Sequence, residues 1–350
     1  AQAVFQSVPS EIFPAHYAIV TGLRPAHPGI TSNRFLDPER GAVYAMGDRE
    51  AVGDGSWYGG EPLWVTAERQ GMVAASYFFV GSEADVAGVR PSHWFPYDGS
   101  VPGEARVDQV LAWVAQPPET RPRMITLYFS AVDGAGHRHG PDSPEVEAAV
   151  ALVDSHLARL LAGIDRLAHR DRIAVVLVSD HGMAAAPRDR AHGIDFSGLA
   201  DVHLVERGPY GILAVDSADP RRHREVRDAV AAQLPDRIEV FLRAEAPERL
   251  HVRASPRFGD VIVLPPLGET VHDATDLPES DGFTHGWDPQ ASEMHGILLA
   301  RGAGIRPGSR LPALQAVDVY PFVTGLLGLA PARHDGDASV FAPALSDERP

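Results

Sequence analysis

Residues 172–182, "RIAVVLVSDHG", constrain the fold more than any other stretch, because six consecutive apolar residues are followed, after a single serine, by an aspartate and a histidine. An unbroken apolar run of strand length, without polar alternation, reads as a strand buried on both faces of a parallel sheet. Such a strand needs helices on either side. The preceding sequence supplies them: "MVAASYFFVG" and "MITLYFSAVD" read as further strands, while "PLWVTAERQG" and "EARVDQVLAWVAQ" read as helices. "SPEVEAAVALVDSHLARLLAGIDRL" is a long helix with Ser143 as N-cap and Glu145 and Glu147 in its first turns. Strand and helix alternate through residue 183, which predicts an α/β fold with a doubly wound, mostly parallel sheet and helices on both faces. Ligands of such sheets bind beyond the carboxyl ends of the strands. Both "YFSAVD" and "VLVSDHG" place acidic residues there.

Ahead of this alternation, "AHYAIVTG" reads as a helix stopped at Gly22, and the Pro/Gly-rich "LRPAHPGITSN" as a loop able to approach a ligand. From about residue 200 to 280 the texture changes to "YGILAV", "RRHREVRDAVAAQL", "IEVFL" and "GDVIVLPP", a β-α-β-β pattern expected to form an inserted subdomain. The chain returns with "GILLARG" and "AVDVYPFVTGLLGL", a strand and a closing helix. At 350 residues and 44% hydrophobic content it can bury one large core or two medium ones.

Composition excludes several function classes. With 31 Lys+Arg against 47 Asp+Glu, the net charge of −16 repels a polyanionic backbone, which argues against sequence-specific nucleic-acid binding. The absence of cysteine removes disulfides, thiolate metal sites and cysteine nucleophiles, so a metal would be held by histidines and carboxylates. No apolar run approaches the ~20 residues of a spanning helix, and the first residues lack a charged segment followed by an apolar one. A soluble chain carrying no address is the expectation.

Three clusters carry chemistry. In "AVDGAGHRHG", Asp133 and His137 are four residues apart just past a predicted strand, and Gly134 and Gly136 let the backbone bend sharply. The pair could converge on one ion, or Asp133 could cap the next turn with His137 solvated. In "SDHG", Asp180 and His181 end the most apolar strand, where burial is costly unless a partner such as a metal compensates. In "FTHGWDPQASEMHG", His285 and His295 each read alone as structural or surface histidines; His285 becomes a ligand candidate only beside the other clusters.

Taken in order, Asp133/His137, Asp180/His181 and "THGWDP" resemble the nucleotide pyrophosphatase/phosphodiesterase family (type I phosphodiesterases) of the alkaline phosphatase superfamily. The resemblance runs through "VTGLRPAHPGI", "WVTAERQG", "PYDGSVPGEARVDQVLAW", "GHRHGPDSPEV" and "VYPFVTGLLGLAPARHDGD". It implies zinc-dependent hydrolysis of nucleotide phosphodiesters or pyrophosphates by two zinc ions, and a periplasmic or extracellular setting. By motif match, Asp133, His137 and His285 would hold one ion, and Asp180 and His181 would belong to the other. Asn33 matches an asparagine that helps bind a phosphate oxygen. Phe13, Tyr97 and Tyr128 match aromatic positions near a nucleobase, although Tyr128, inside an apolar run, also reads as core.

The chain departs from that family where the chemistry is most demanding. Ile12 of "SEIFPAHYAIVTG" stands where the family places a threonine, sometimes a serine, that attacks phosphorus and also ligates the second zinc. A hydrocarbon does neither. The family's sheet begins with a strand ending in an aspartate of a V-D-G-like motif, also a ligand of the second zinc, and no such motif precedes Ile12. The expectation is one intact zinc site and one weakened site, with impaired turnover. Ser10 as a stand-in nucleophile and attack by a zinc-bound hydroxide are the remaining catalytic routes. A catalytically silent metal- and nucleotide-binding protein is the alternative, and a sulfatase or phosphomonoesterase a weaker third.

Overall fold

The computed structural model describes residues 1–346 of the 350-residue chain. Three parallel strands form one part of the central layer: β1 (Ala74–Tyr77), β2 (His93–Phe95) and β3 (Met124–Leu127), in the order β2-β1-β3. The predicted apolar run forms β4 (Ala174–Val178), which pairs antiparallel with β5 (Leu298–Gly302). Both parts rest on the same floor. Ile125 and Leu127 of β3, and Ile173 and Val175 around β4, pack on one cluster with Trp113, Leu160 and Ile164. That floor is built by helices α2 (Gly103–Val114) and α4 (Pro144–Asp165).

The expectation that the 172–182 run is buried on both faces fails: all five residues of β4 are only half-buried, whereas the four of β1 are all buried. The reason is pairing. β1 is flanked on both edges, whereas among the described residues no strand pairs with the second edge of β3 or of β4. The central layer is therefore split, and the β5 partner makes one part antiparallel.

Local signals set the helices that carry the site. α1 (Ile12–Thr21) starts earlier than its apolar core suggests, because Pro14 in the first turn gives up an N–H that has no helical partner. It ends as expected: Gly22 takes a φ of 65° and donates to the Ala18 carbonyl, a left-handed stop that suits glycine. Pro14 to Thr21 are all buried, so α1 is a core helix. Residues 131–139, read above as the end of a strand and a loop or turn, form helix α3 (Ala131–His139). α4 begins with Ser143 Oγ accepting from the Val146 N–H, and Glu145 and Glu147 sit in its first turn. The closing helix α5 (Val319–Leu327) ends at Gly328 and packs against α1.

The strands Val202–Glu206, Gly211–Val215, Val261–Leu264 and Glu239–Leu242 form a separate antiparallel sheet in that order. Helix Pro220–Ala231 covers one face through Val226 and Val230. The sequence pattern contained three of these strands; Val202–Glu206, with its polar His203 and Glu206, is the fourth.

Split pairing has a measurable consequence. Backbone amides on the open edges of β3 and β4 should exchange with solvent at least about 100-fold faster than those of β1, as expected for backbone groups outside a ladder. Amide hydrogen exchange read by mass spectrometry checks this, and equal protection of β1 and β4 would contradict it.

Candidate active site

The site is assembled at the carboxyl ends of β3 and β4. Asp133 and His137 lie one turn apart on α3, with His137 Nε2 3.3 Å from Asp133 Oδ1. His285 follows the short strand Gly282–Thr284 and brings its Nε2 to 3.7 Å from the same oxygen. Donor atoms of Asp133, His137 and His285 all lie within 4.8 Å of one another. The side chain of His181 stacks on His285 with ring centroids 3.5 Å apart.

Backbone carbonyls fix which nitrogen of each ring faces inward. His137 Nδ1 donates to the Phe283 carbonyl at 2.8 Å, His285 Nδ1 to the Ser10 carbonyl at 2.9 Å, and His181 Nδ1 to the Gly182 carbonyl at 2.8 Å. A carbonyl only accepts, so each Nδ1 carries a proton, and a ring in its neutral form turns an Nε2 lone pair toward the carboxylates. Lone pairs facing lone pairs need a proton or a metal cation between them. Asp133 Oδ1 and His181 Nε2 are buried without any hydrogen bond, which leaves two acceptors free for such an ion. The donor set of imidazole and carboxylate, each ring steadied from behind by a carbonyl, fits zinc.

Electrostatics separates the rings. Burial pushes the Asp133 carboxyl up, but the facing His137, His181 and His285 hold it below the usual carboxylate range. Burial, then the neighbouring His181, pushes His285 down to about 3, so the ring stays neutral and ready to ligate. His137 is the exception: its hydrogen bond to Asp133 raises it, so this ring favours a proton at Nε2 that a metal would displace. Asp180 is lifted by burial, yet His181 and His16 hold it well below its ordinary value.

The second cluster is built differently. Asp180 Oδ2 lies 3.3 Å from His181 Nε2 and 3.0 Å from His16 Nε2. Asp133, His137 and His285 are the one group of three or more such donors to converge this closely among the described residues, and Asp180 is outside it. Sequence reading missed His16. Its signal was its place in "IFPAHY", four residues after Ile12 and hence on the same face of α1.

The other expected residues surround these two clusters. Ile12 is the first residue of α1. Phe13 donates its N–H to Asn33 Oδ1 at 3.0 Å, and its ring lies 6.1 Å from Tyr44. Tyr128 packs edge-on to His16 at 5.0 Å and lies 6.3 Å from the exposed Tyr97, so aromatic rings lead from the surface to Asp180. Ser10 is turned elsewhere: fully buried, it donates its hydroxyl to the Trp287 carbonyl at 2.7 Å. That commitment removes it as a stand-in nucleophile. His295 packs against Phe5 at 4.6 Å and keeps its structural reading.

Residues 1–288 match the type I phosphodiesterase / nucleotide pyrophosphatase family. The chain belongs to that family. It is 32% identical over 336 residues to ectonucleotide pyrophosphatase/phosphodiesterase family member 1 of Mus musculus, covering 94% of this chain and 37% of the relative. It is 31% identical over 339 residues to a venom phosphodiesterase of Crotalus durissus collilineatus, covering 94% of this chain and 40% of the relative. The chain thus spans well under half the length of these curated relatives. In three dimensions it is similar to human ectonucleotide pyrophosphatase / phosphodiesterase 5, with a TM-score of 0.90 at 25% identity over 99% of this chain and 91% of the other. An inactive variant of the murine protein in complex with AMP is similar at a TM-score of 0.89 and 26% identity, over 98% of this chain and 90% of the other. The phosphodiesterase family thus shares this alkaline-phosphatase-like α/β frame.

Removing one donor tests the metal reading. The variant His285→Ala should weaken zinc binding by more than about 100-fold, beyond the ~10–100-fold cost typical of outer-shell partners. Competition calorimetry against a chelator reads this. Unchanged affinity would exclude His285 from the ligand set.

Proposed function

We propose that the chain is a zinc-dependent phosphodiesterase domain acting on nucleotide phosphodiesters or pyrophosphates, with one strong zinc site and turnover impaired by Ile12. The observation that carries this reading is the convergence of Asp133, His137 and His285, with buried acceptors left free among them. Zinc there would supply Lewis-acid polarisation of a phosphoryl oxygen. Asn33 would orient the ester: its carbonyl oxygen is fixed by the Phe13 N–H, and its amide nitrogen donates to no protein group among the described residues. Phe13, Tyr97 and Tyr128 would offer faces for a base to stack upon. The murine neighbour bound to AMP supports a nucleotide as the ligand.

Asp180 and His181 would belong to a second, weaker metal position, because His16 is the neighbouring donor at that carboxylate and no hydroxyl is available at position 12. His16 would orient the Asp180 carboxylate through that contact. Residues of about 200–280 form an inserted unit in this reading. An extracellular or periplasmic setting follows the relatives named as ectoenzymes and venom enzymes. Among the described residues no helix is long and apolar enough to cross a membrane.

The specific observation favouring a silent, binding-only protein is Ile12, whose side chain offers no nucleophile. Hydrolysis of the p-nitrophenyl ester of thymidine monophosphate by zinc-loaded protein separates the readings. Wild type should turn over slowly, and Ile12→Thr should accelerate it at least about 100-fold, a small part of the ~10⁶-fold lost when a covalent nucleophile is deleted elsewhere. A variant that binds zinc and AMP but gains nothing would contradict impairment by Ile12.

A further inference from the structure

A second polar cluster lies behind the first turn of α1, apart from the metal ligands. Glu11, the residue before Ile12, is 8% exposed and reaches across to Ser32, whose hydroxyl lies 2.8 Å from Glu11 Oε2 and 2.8 Å from Glu206 Oε2. One hydroxyl proton cannot serve two carboxylates. For both contacts to be hydrogen bonds, a carboxyl must itself carry a proton and donate to Ser32 Oγ while Ser32 donates onward. Glu11 Oε2 also accepts the Asn33 N–H at 2.7 Å, and Asn33 Oδ1 in turn accepts the Phe13 N–H at 3.0 Å. Glu206, at the end of strand Val202–Glu206, accepts the Arg207 N–H at 3.0 Å. A single network therefore ties the start of α1, the Asn33 loop and the antiparallel sheet together.

We propose that Glu11 and Glu206 share one proton through Ser32, and that this acid pair is a positioning element holding Asn33 and the first turn of α1 in place for a phosphate ester. The inference rests on the nucleotide reading above for its ligand, and on the Ser32 geometry for the shared proton. The other charged or titratable groups facing the pair are Arg34, which favours ionised Glu206, and the buried Tyr210 phenol beside Glu11. Burial, then the charge of Glu206, pushes Glu11 up to about 8, and burial also raises Glu206. The sign follows. The clamp is intact while the pair keeps its proton, and it is lost as pH rises through the raised Glu11 value, when two buried carboxylates face one hydroxyl.

The chain has a favourable reporter, since Asn33 is its one asparagine. Protein labelled with ¹⁵N-asparagine therefore gives one backbone amide and one carboxamide signal. From about pH 6 to 9.5 these should shift with a midpoint near that of Glu11, well above an ordinary carboxyl. Glu11→Gln keeps a neutral side chain of the same shape and should abolish the shift. Glu206→Gln removes the repulsion and should move the midpoint down, which keeps the test decisive if the first variant fails to fold. Asn33 signals that stay flat in wild type, or titrate identically in both variants, would overturn the shared proton. AMP titrations of zinc-loaded protein then test positioning. Affinity should fall about fivefold across the transition in wild type, the worth of one ordinary hydrogen bond, and stay level in Glu11→Gln. An equal fall in both overturns the positioning role. Absence of AMP binding at every pH overturns that role and the nucleotide reading together, while a surviving Asn33 midpoint near that of Glu11 would still support the shared proton.

Discussion

The structure turns on a simple electrostatic demand: imidazole nitrogens and carboxylate oxygens are brought together at the half-buried Asp133, between the buried His285 and the exposed His137. The protons of His137, His181 and His285 are committed at Nδ1 to the carbonyls of Phe283, Gly182 and Ser10. What remains inward is acceptor against acceptor around Asp133. Acceptors buried in this way are costly unless a proton or a cation joins them, so the fold offers a position where a metal could be held.

Each carbonyl comes from a different part of the chain, which explains why so much structure is needed for so few ligands. Ser10 belongs to the segment entering α1, Phe283 to the strand preceding His285, and Gly182 to the end of β4. The floor of α2 and α4 carries β3 and β4 at a common height, so that Asp133 and Asp180 emerge at the same end. Around Asp180 the arrangement is looser. His16, Tyr128 and Tyr97 line the approach, and Ile12 stands one helical turn before His16 on α1.

Sequence made the local parts legible. Gly22 stops α1 because a left-handed residue is required there, and Ser143 starts α4 because its hydroxyl satisfies an otherwise unpaired N–H. The four-residue spacing of Asp133 and His137 leaves a short loop or a helical turn open, and the structure takes the helical turn, on α3. Other features depend on partners distant in sequence. The half-burial of β4 reflects strand pairing, which the apolar run does not encode. His16 acquires meaning only beside Asp180, and Glu11 only beside Ser32 and Glu206. Ser10 illustrates the converse: a hydroxyl near the right place in sequence, yet turned toward Trp287 in the fold.

The most direct measurement of the central claim is anomalous scattering at the zinc edge from a crystal of this chain grown with zinc. The predicted result is a strong peak enclosed by Asp133 Oδ1, His137 Nε2 and His285 Nε2. A map with no peak there, or with its strongest peak among other residues, would contradict it.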